Sequence, residues 1–223
     1  MTKYEERIIQ LFLNNPDCFL PLLKQEKHVN RAYSVLKKFF PEPFGIEFET
    51  GYKDTIRLNV KGLSQSYAEG EQKIKVDSFK DVVNLNLLLK YFREFVPFNI
   101  SSGIHIHVNV GEISHHMIRS RVSNDVKLLN DDILRELVEL TNYEGTFNRL
   151  GFSYGGHTTA RLSMRYNTIE YRIFHMTYDI KQLLKWVMMA QYLSARVRAA
   201  ANSNKPQLCT DQVIQVLVKL NNM

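Results

Sequence analysis

Residues 101–110, SSGIHIHVNV, place two imidazoles one residue apart in a run that otherwise has the make-up of a buried strand. Successive strand side chains point to opposite faces. Ile104, Ile106, Val108 and Val110 therefore share one face, and His105, His107 and Asn109 share the other. Core packing accounts for the aliphatic face. It does not account for two histidines about 6–7 Å apart on the other, where the strand repeat puts them.

Three more stretches carry the same kind of polar parity. FGIEFET sets Glu47 and Glu49 against Phe44, Ile46 and Phe48. TARLSMRY sets Arg161, Ser163 and Arg165 against Leu162, Met164 and Tyr166, and TIEYRIF sets Glu170 and Arg172 against Ile169, Tyr171 and Ile173. Polar residues on one side of an antiparallel strand are ordinary, and a lone E-x-E carries almost no information. Four strands that concentrate Glu, His and Arg are less ordinary. On neighbouring strands the carboxylates would repel unless a cation joined them. Oxygen-rich ligation with one histidine suits Mg²⁺ or Mn²⁺ better than Zn²⁺. Arginines beside such an ion would grip the anionic oxygens of phosphate through bidentate contacts.

The elements that would position these groups follow from the patterning. YEERIIQLFL and HVNRAYSVLKKFF have apolar residues at helical spacing, and Pro41 and Pro43 close them, which gives an N-terminal helical segment over residues 1–40. A domain over residues 41–223 follows. Its strands are FGIEFET, TIRLNVK, a weaker QKIKV, the histidine strand, TARLSMRY and TIEYRIFHM, the last two joined at Asn167. Ser78 and Asp81 start a helix whose stripe is Val82, Leu85, Leu88, Leu89, Phe92 and Phe95, with Pro97 as its stop. NDDILRELVEL is a short amphipathic helix, followed by a loop rich in glycine at Gly145, Gly151, Gly155 and Gly156. Asp179 caps a long helix, and Thr210 or Asp211 a final one. Mixed element order with short strand connections predicts an α+β fold, with a largely antiparallel curved sheet, helices on one face and the other face open.

Bulk properties narrow the class. The chain has 223 residues, 44% hydrophobic and 23% charged, as in a soluble globular protein. No apolar run approaches the roughly 18–20 residues that span a bilayer. Two acidic residues near the N-terminus and no small-residue cleavage site argue against a secretory signal. Cys18 and Cys209 read as free thiols, which together with that points to the cytoplasm. A net charge of +6 suits an anionic partner, yet the basic residues are scattered, so nucleic acid is not favoured. No P-loop, Rossmann turn or nucleophile elbow is present. Trp186, Met188, Met189 and Tyr192 read as core.

In order, GIEFET, then SGIHIHV, then RLSMRYNTIEYRIF followed by a helix resembles the amidoligase family, carboxylate–amine ligases of the glutamine synthetase and glutamate–cysteine ligase superfamily. The likeness covers roughly residues 44–200. It implies a glutamine synthetase-like catalytic sheet and an enzyme that uses ATP and Mg²⁺ or Mn²⁺ to activate a carboxylate as an acyl phosphate, which an amine then attacks. Carried over by motif, Glu47, His105 and Glu170 would ligate the metal at the transferred phosphate, Glu49 would serve a second metal, and His107 would touch phosphate. Arg161, Arg165 and Arg172 would neutralise the ATP phosphates and the transition state, as phosphoryl transfer requires. The partners implied are small-molecule or peptide acids and amines. Family members often have further acidic ligands ahead of the histidine strand. Here Glu69 and Glu71 are the only glutamates in that short stretch, with Asp54 and Asp77 the weaker acidic candidates.

Two other readings of the residues remain. A metal-dependent hydrolase or nuclease could use the same Glu/His cluster with a metal-activated water. A non-catalytic basic module could present its sheet face to an anionic partner.

Overall fold

Strict alternation of apolar and polar residues is what lays these stretches side by side as a sheet with one oily face. The computed structural model describes residues 40–49, 63–68, 71–76, 79–96, 102–111, 131–141, 160–163, 165–203 and 210–223, with residues 7, 11, 14, 34, 37 and 61 as single positions. Among them the elements run β1 (Phe44–Glu49), β2 (Ser64–Ala68), β3 (Glu71–Val76), α1 (Phe79–Phe95), β4 (Gly103–Asn109), α2 (Asp131–Thr141), β5 (Ala160–Ser163), β6 (Thr168–His175), α3 (Ile180–Asn202) and α4 (Thr210–Asn221). The fold is α+β. The six strands form one antiparallel sheet in the order β2-β3-β1-β4-β6-β5. The N-terminal helices and the strand expected at 55–61 fall almost wholly outside the described residues.

The apolar parity of β1, β4 and β6 is buried under the helices. Ile46, Phe48, Ile104, Ile106, Val108 and Ile169 are all solvent-free, packed with Leu183, Leu184, Trp186 and Val187 of α3. Asp179 caps α3 as expected, accepting a hydrogen bond from the Lys181 amide at 2.8 Å. Trp186, Met188 and Met189 are core, and Tyr192 packs at its edge. The stripe of α1 holds through Leu85, Leu88, Leu89 and Phe92 and then departs from expectation, because Phe95 is exposed. Val96 lies four residues beyond Phe92, on the same side of the turn. Its amide bonds the Phe92 carbonyl at 2.8 Å, and it takes the core position instead.

Three features of the sheet are not local pattern. β2 pairs with β3 although its sequence, SQSYA, has no apolar alternation. β5 ends at Ser163, so Arg165 and Tyr166 lie in the turn to β6 and are exposed, whereas alternation had carried them along the strand. Asn167 closes that turn at φ 53°, a left-handed conformation that asparagine tolerates better than most residues. Its side chain donates to the Gly111 carbonyl, and its own carbonyl accepts from the Val110 amide, each at 3.1 Å.

The third is a bulge. Ile104 pairs with Phe174 and Ile106 with Tyr171, so two steps along β4 match three along β6. The extra residue lets Ile173 and Phe174, neighbours in sequence, both enter the core, where Phe174 stacks on Trp186. Arg172, just before them, stays with the polar side.

Candidate metal centre

Register turns four separate polar parities into two rows across the sheet. One row runs Ser66, Lys73, Glu47, His105, because Ser66 pairs with Lys73, Lys73 with Glu47 and Glu47 with His105. The adjacent row runs Ser64, Lys75, Gly45, His107, Glu170, Arg161. Backbone register thus sets Arg161 opposite Glu170; its side chain lies outside the described residues. Glu49 lies one pleat along β1 from Glu47, opposite Glu71 and Gly103, and the Arg172 guanidinium reaches it at 3.4 Å.

The centre of this face is buried, while Ser64, Ser66 and Lys75 toward the β2 edge are exposed. Glu47, His105, His107 and Glu170 are all buried, Glu170 completely. Access runs through a pocket of about 330 Å³ whose lining includes Glu47, His107, Lys73, Lys75, Ser64 and Tyr166. Gly45 lies on its floor, between Lys75 and His107. Tyr166, displaced from its expected face, stands edge-on to the His107 ring with centroids 5.9 Å apart. Arg165 lies over Tyr166 with its guanidinium carbon 5.3 Å from the ring centre.

The two histidines have different surroundings. The Nδ1 of His105 lies 3.4 Å from Glu47 and 3.5 Å from Glu170, and its Nε2 lies 3.1 Å from Glu49. Burial pushes this imidazole toward neutrality, but the hydrogen bonds to Glu47 and Glu49 and the Glu49 charge outweigh it and hold its pKa above the ordinary value. His105 is thus the cation among three carboxylates. The Nδ1 of His107 is 3.1 Å from the Thr168 hydroxyl. Its Nε2 is 3.2 Å from Glu47 but off the line of a hydrogen bond, which leaves a buried nitrogen without a hydrogen-bond partner. The tautomer that donates Nδ1–H to Thr168 is the one that offers Nε2 as a lone pair to a metal, the second ring nitrogen setting the choice.

Ligand atoms of Glu47, His107 and Glu170 all lie within 4.8 Å of one another, the one such group among the described residues. Two carboxylates and an imidazole suit a divalent cation, and the orphaned Nε2 is what such an ion would satisfy. The resemblance implies His105 in the ion's shell; its Nδ1 lies within 3.5 Å of Glu47 and Glu170, and His107 also gathers with these two carboxylates. Burial pushes the Glu47 carboxyl up, yet the hydrogen bonds from His105 and Lys73 and the nearby His107 ring hold it far below the usual carboxylate range. Glu49 is likewise raised by burial and lowered more by His105 and Arg172, with a net fall.

Several functional neighbours were not legible in the sequence. Lys73 bonds Glu47 at 2.9 Å and Glu71 at 2.7 Å. Burial lowers its pKa, and the two carboxylates raise it by more. The polar parity of EQKIKV, with Glu71, Lys73 and Lys75 on one side, was the available signal. Glu71 itself opens β3 opposite Glu49, in a strand alternation that the sequence alone did not make convincing. Arg172, 3.3 Å from Glu170 and 3.4 Å from Glu49, is held between two carboxylates. Glu69, Asp54, Asp77, His115, His116 and His157 lie outside the described residues.

Comparison with protein-family models, with curated proteins and with solved structures finds no match for this chain.

Proposed function

We propose that this chain is an ATP-dependent carboxylate–amine ligase of the amidoligase kind, with a glutamine synthetase-like sheet and Mg²⁺ or Mn²⁺ as its metal. One observation carries the reading: Glu47, His107 and Glu170 converge, buried, beside a pocket that Glu47 and His107 line, with a histidine nitrogen there that has no hydrogen-bond partner. The order of motifs along the chain supplies the rest.

In this reading Glu47, His107 and Glu170 hold the ion, and Thr168 fixes the imidazole that faces it. His105 keeps Glu47, Glu49 and Glu170 together when no metal is present. The Arg172 guanidinium, oriented by Glu49 and Glu170, lies where it would offset charge on a transferred phosphoryl group. Bound here, Mg²⁺-ATP would supply the phosphoryl group that activates an acid for attack by an amine. The chain's own work is positioning and charge compensation.

Thermal stability with ATP and Mg²⁺, added singly and together, tests it. Stabilisation by ATP only when Mg²⁺ is present is the expected result. Stabilisation by metal with indifference to ATP would favour a hydrolase, and salt-sensitive binding of an anionic polymer untouched by either would favour an interaction module. A positive result is followed by screening pools of acids and amines for ADP release, with the condensation product identified by mass spectrometry.

A further inference from the structure

Lys73 takes no part in the metal reading above, yet it bonds the same Glu47 carboxylate that the reading assigns to the ion. Its ammonium is 2.9 Å from Glu47 on one side and 2.7 Å from Glu71 on the other, and its side chain is 26% exposed. Glu71 is half-buried. A divalent cation on Glu47 and this ammonium would be two cations drawing on one carboxylate, and the more mobile of them is a lysine on a flexible stem.

Where the displaced ammonium can go is fixed by the sheet. Lys73 and Lys75 line the same pocket, one pleat apart on β3, and the Ser64 and Ser66 hydroxyls line it from β2, paired with Lys75 and Lys73 respectively. Gly45 puts no side chain between this wall and His107. A wall of two ammonium groups and two hydroxyls is suited to an oxyanion, phosphoryl or carboxylate.

We infer that Lys73 couples the two sites: without metal it neutralises Glu47, and metal at Glu47 releases it into an oxyanion subsite formed with Lys75, Ser64 and Ser66. The inference rests on the metal reading and assigns Lys73 a positioning role. Metal and oxyanion then bind cooperatively through one side chain, because the ion takes one of the two carboxylates that otherwise hold the ammonium and leaves Glu71 alone to compete with the oxyanion.

Calorimetric titration of the full chain tests this with Mn²⁺ alone, then with methyl phosphate and separately acetate, each with and without saturating Mn²⁺. In the wild type, Mn²⁺ should tighten binding of one of these anions by about tenfold or more; which one responds tells phosphoryl from carboxylate. Lys73→Met should bind Mn²⁺ about tenfold tighter, its competitor being gone, and should lose the gain in anion affinity. Lys73→Arg should keep the coupling. Lys75→Met should weaken the anion and leave Mn²⁺ affinity unchanged, which separates the local competition from a general change in net charge. Opposite shifts in metal and anion affinity are not what a merely structural lysine would give. Should wild type bind Mn²⁺, and Glu170→Gln lose it, while Lys73→Met binds it no tighter or keeps the wild-type anion gain, the coupling is refuted and the metal centre stands. An equal rise in Mn²⁺ affinity for Lys75→Met also refutes it. No Mn²⁺ binding by the wild type overturns both.

Discussion

Replacing His105 by glutamine removes the buried cation at the centre of the cluster while keeping a side chain that can hydrogen-bond. His105 faces Glu47 at 3.4 Å, Glu49 at 3.1 Å and Glu170 at 3.5 Å, with its own side chain 5% exposed. Each contact corresponds to about 5 kcal/mol of Coulomb energy at an effective dielectric near 20, much of it returned as desolvation. Breaking a buried ionic group by deleting one partner typically costs about 3–5 kcal/mol. Lys73 and Arg172 remain as partial compensation, which puts His105→Gln at the low end, about 3 kcal/mol, or a Tm lower by about 6–12 °C for a chain of this length. The sign with pH follows from the imidazole's raised pKa. Its stabilisation is fully present below the ordinary value of 6.5 and is lost as pH rises through the folded-state value, so the gap between wild type and variant is widest in mildly acid buffer and closes at alkaline pH. Glu47 has the opposite slope: its contribution is present above 4.5 and is lost as pH falls toward its depressed value. The assay is thermal unfolding in chelator across that range, repeated with Mn²⁺, which should rescue the variant by more degrees than it lifts the wild type. A variant as stable as wild type at pH 6 without metal, or one that Mn²⁺ fails to rescue preferentially, would refute the assignment of His105 as the charge balance.

Glu170→Gln should leave a folded protein that binds Mn²⁺ at least about 100-fold more weakly, since an amide keeps the shape without the charge, and should abolish ADP release; wild-type titration curves would count against the centre. His107→Phe should weaken Mn²⁺ to a similar extent while the metal-free pH profile described for His105 persists, which separates the two imidazoles by calorimetry and unfolding. Arg172→Lys should lower turnover with the fold intact, because lysine cannot span Glu49 and Glu170 as the guanidinium does; undiminished ADP release would return Arg172 to a structural role. Asn167→Val should cost about 1–3 kcal/mol through its positive φ on top of the lost bond to Gly111, whereas Asn167→Gly should cost only that bond, about 0.5–1.5 kcal/mol, as read by urea unfolding.

What the sequence determined by itself was parity. Side-chain direction along a strand repeats every two residues, so Glu47 with Glu49, His105 with His107, and Glu170 with Arg172 were each legible as sharing a face, and the α+β class followed from the same alternation. The core helix from Asp179 was legible for a similarly local reason, a cap followed by apolar residues at helical spacing. Which parities meet was not legible, because register and strand order are set by contacts between residues far apart in the chain. Tertiary structure decided that β1 lies between β3 and β4, which brought Lys73 to Glu47 and left the weak β2 at the edge. It also decided that a bulge in β6 sends Ile173 and Phe174 together into the core while Arg172 stays beside Glu170. Pairing Gly45 with His107 and Glu47 with His105 made one imidazole the clamp of three carboxylates and left the other beside a pocket with a buried nitrogen that has no hydrogen-bond partner, a difference that two histidines one residue apart cannot express until their neighbours across the sheet are fixed.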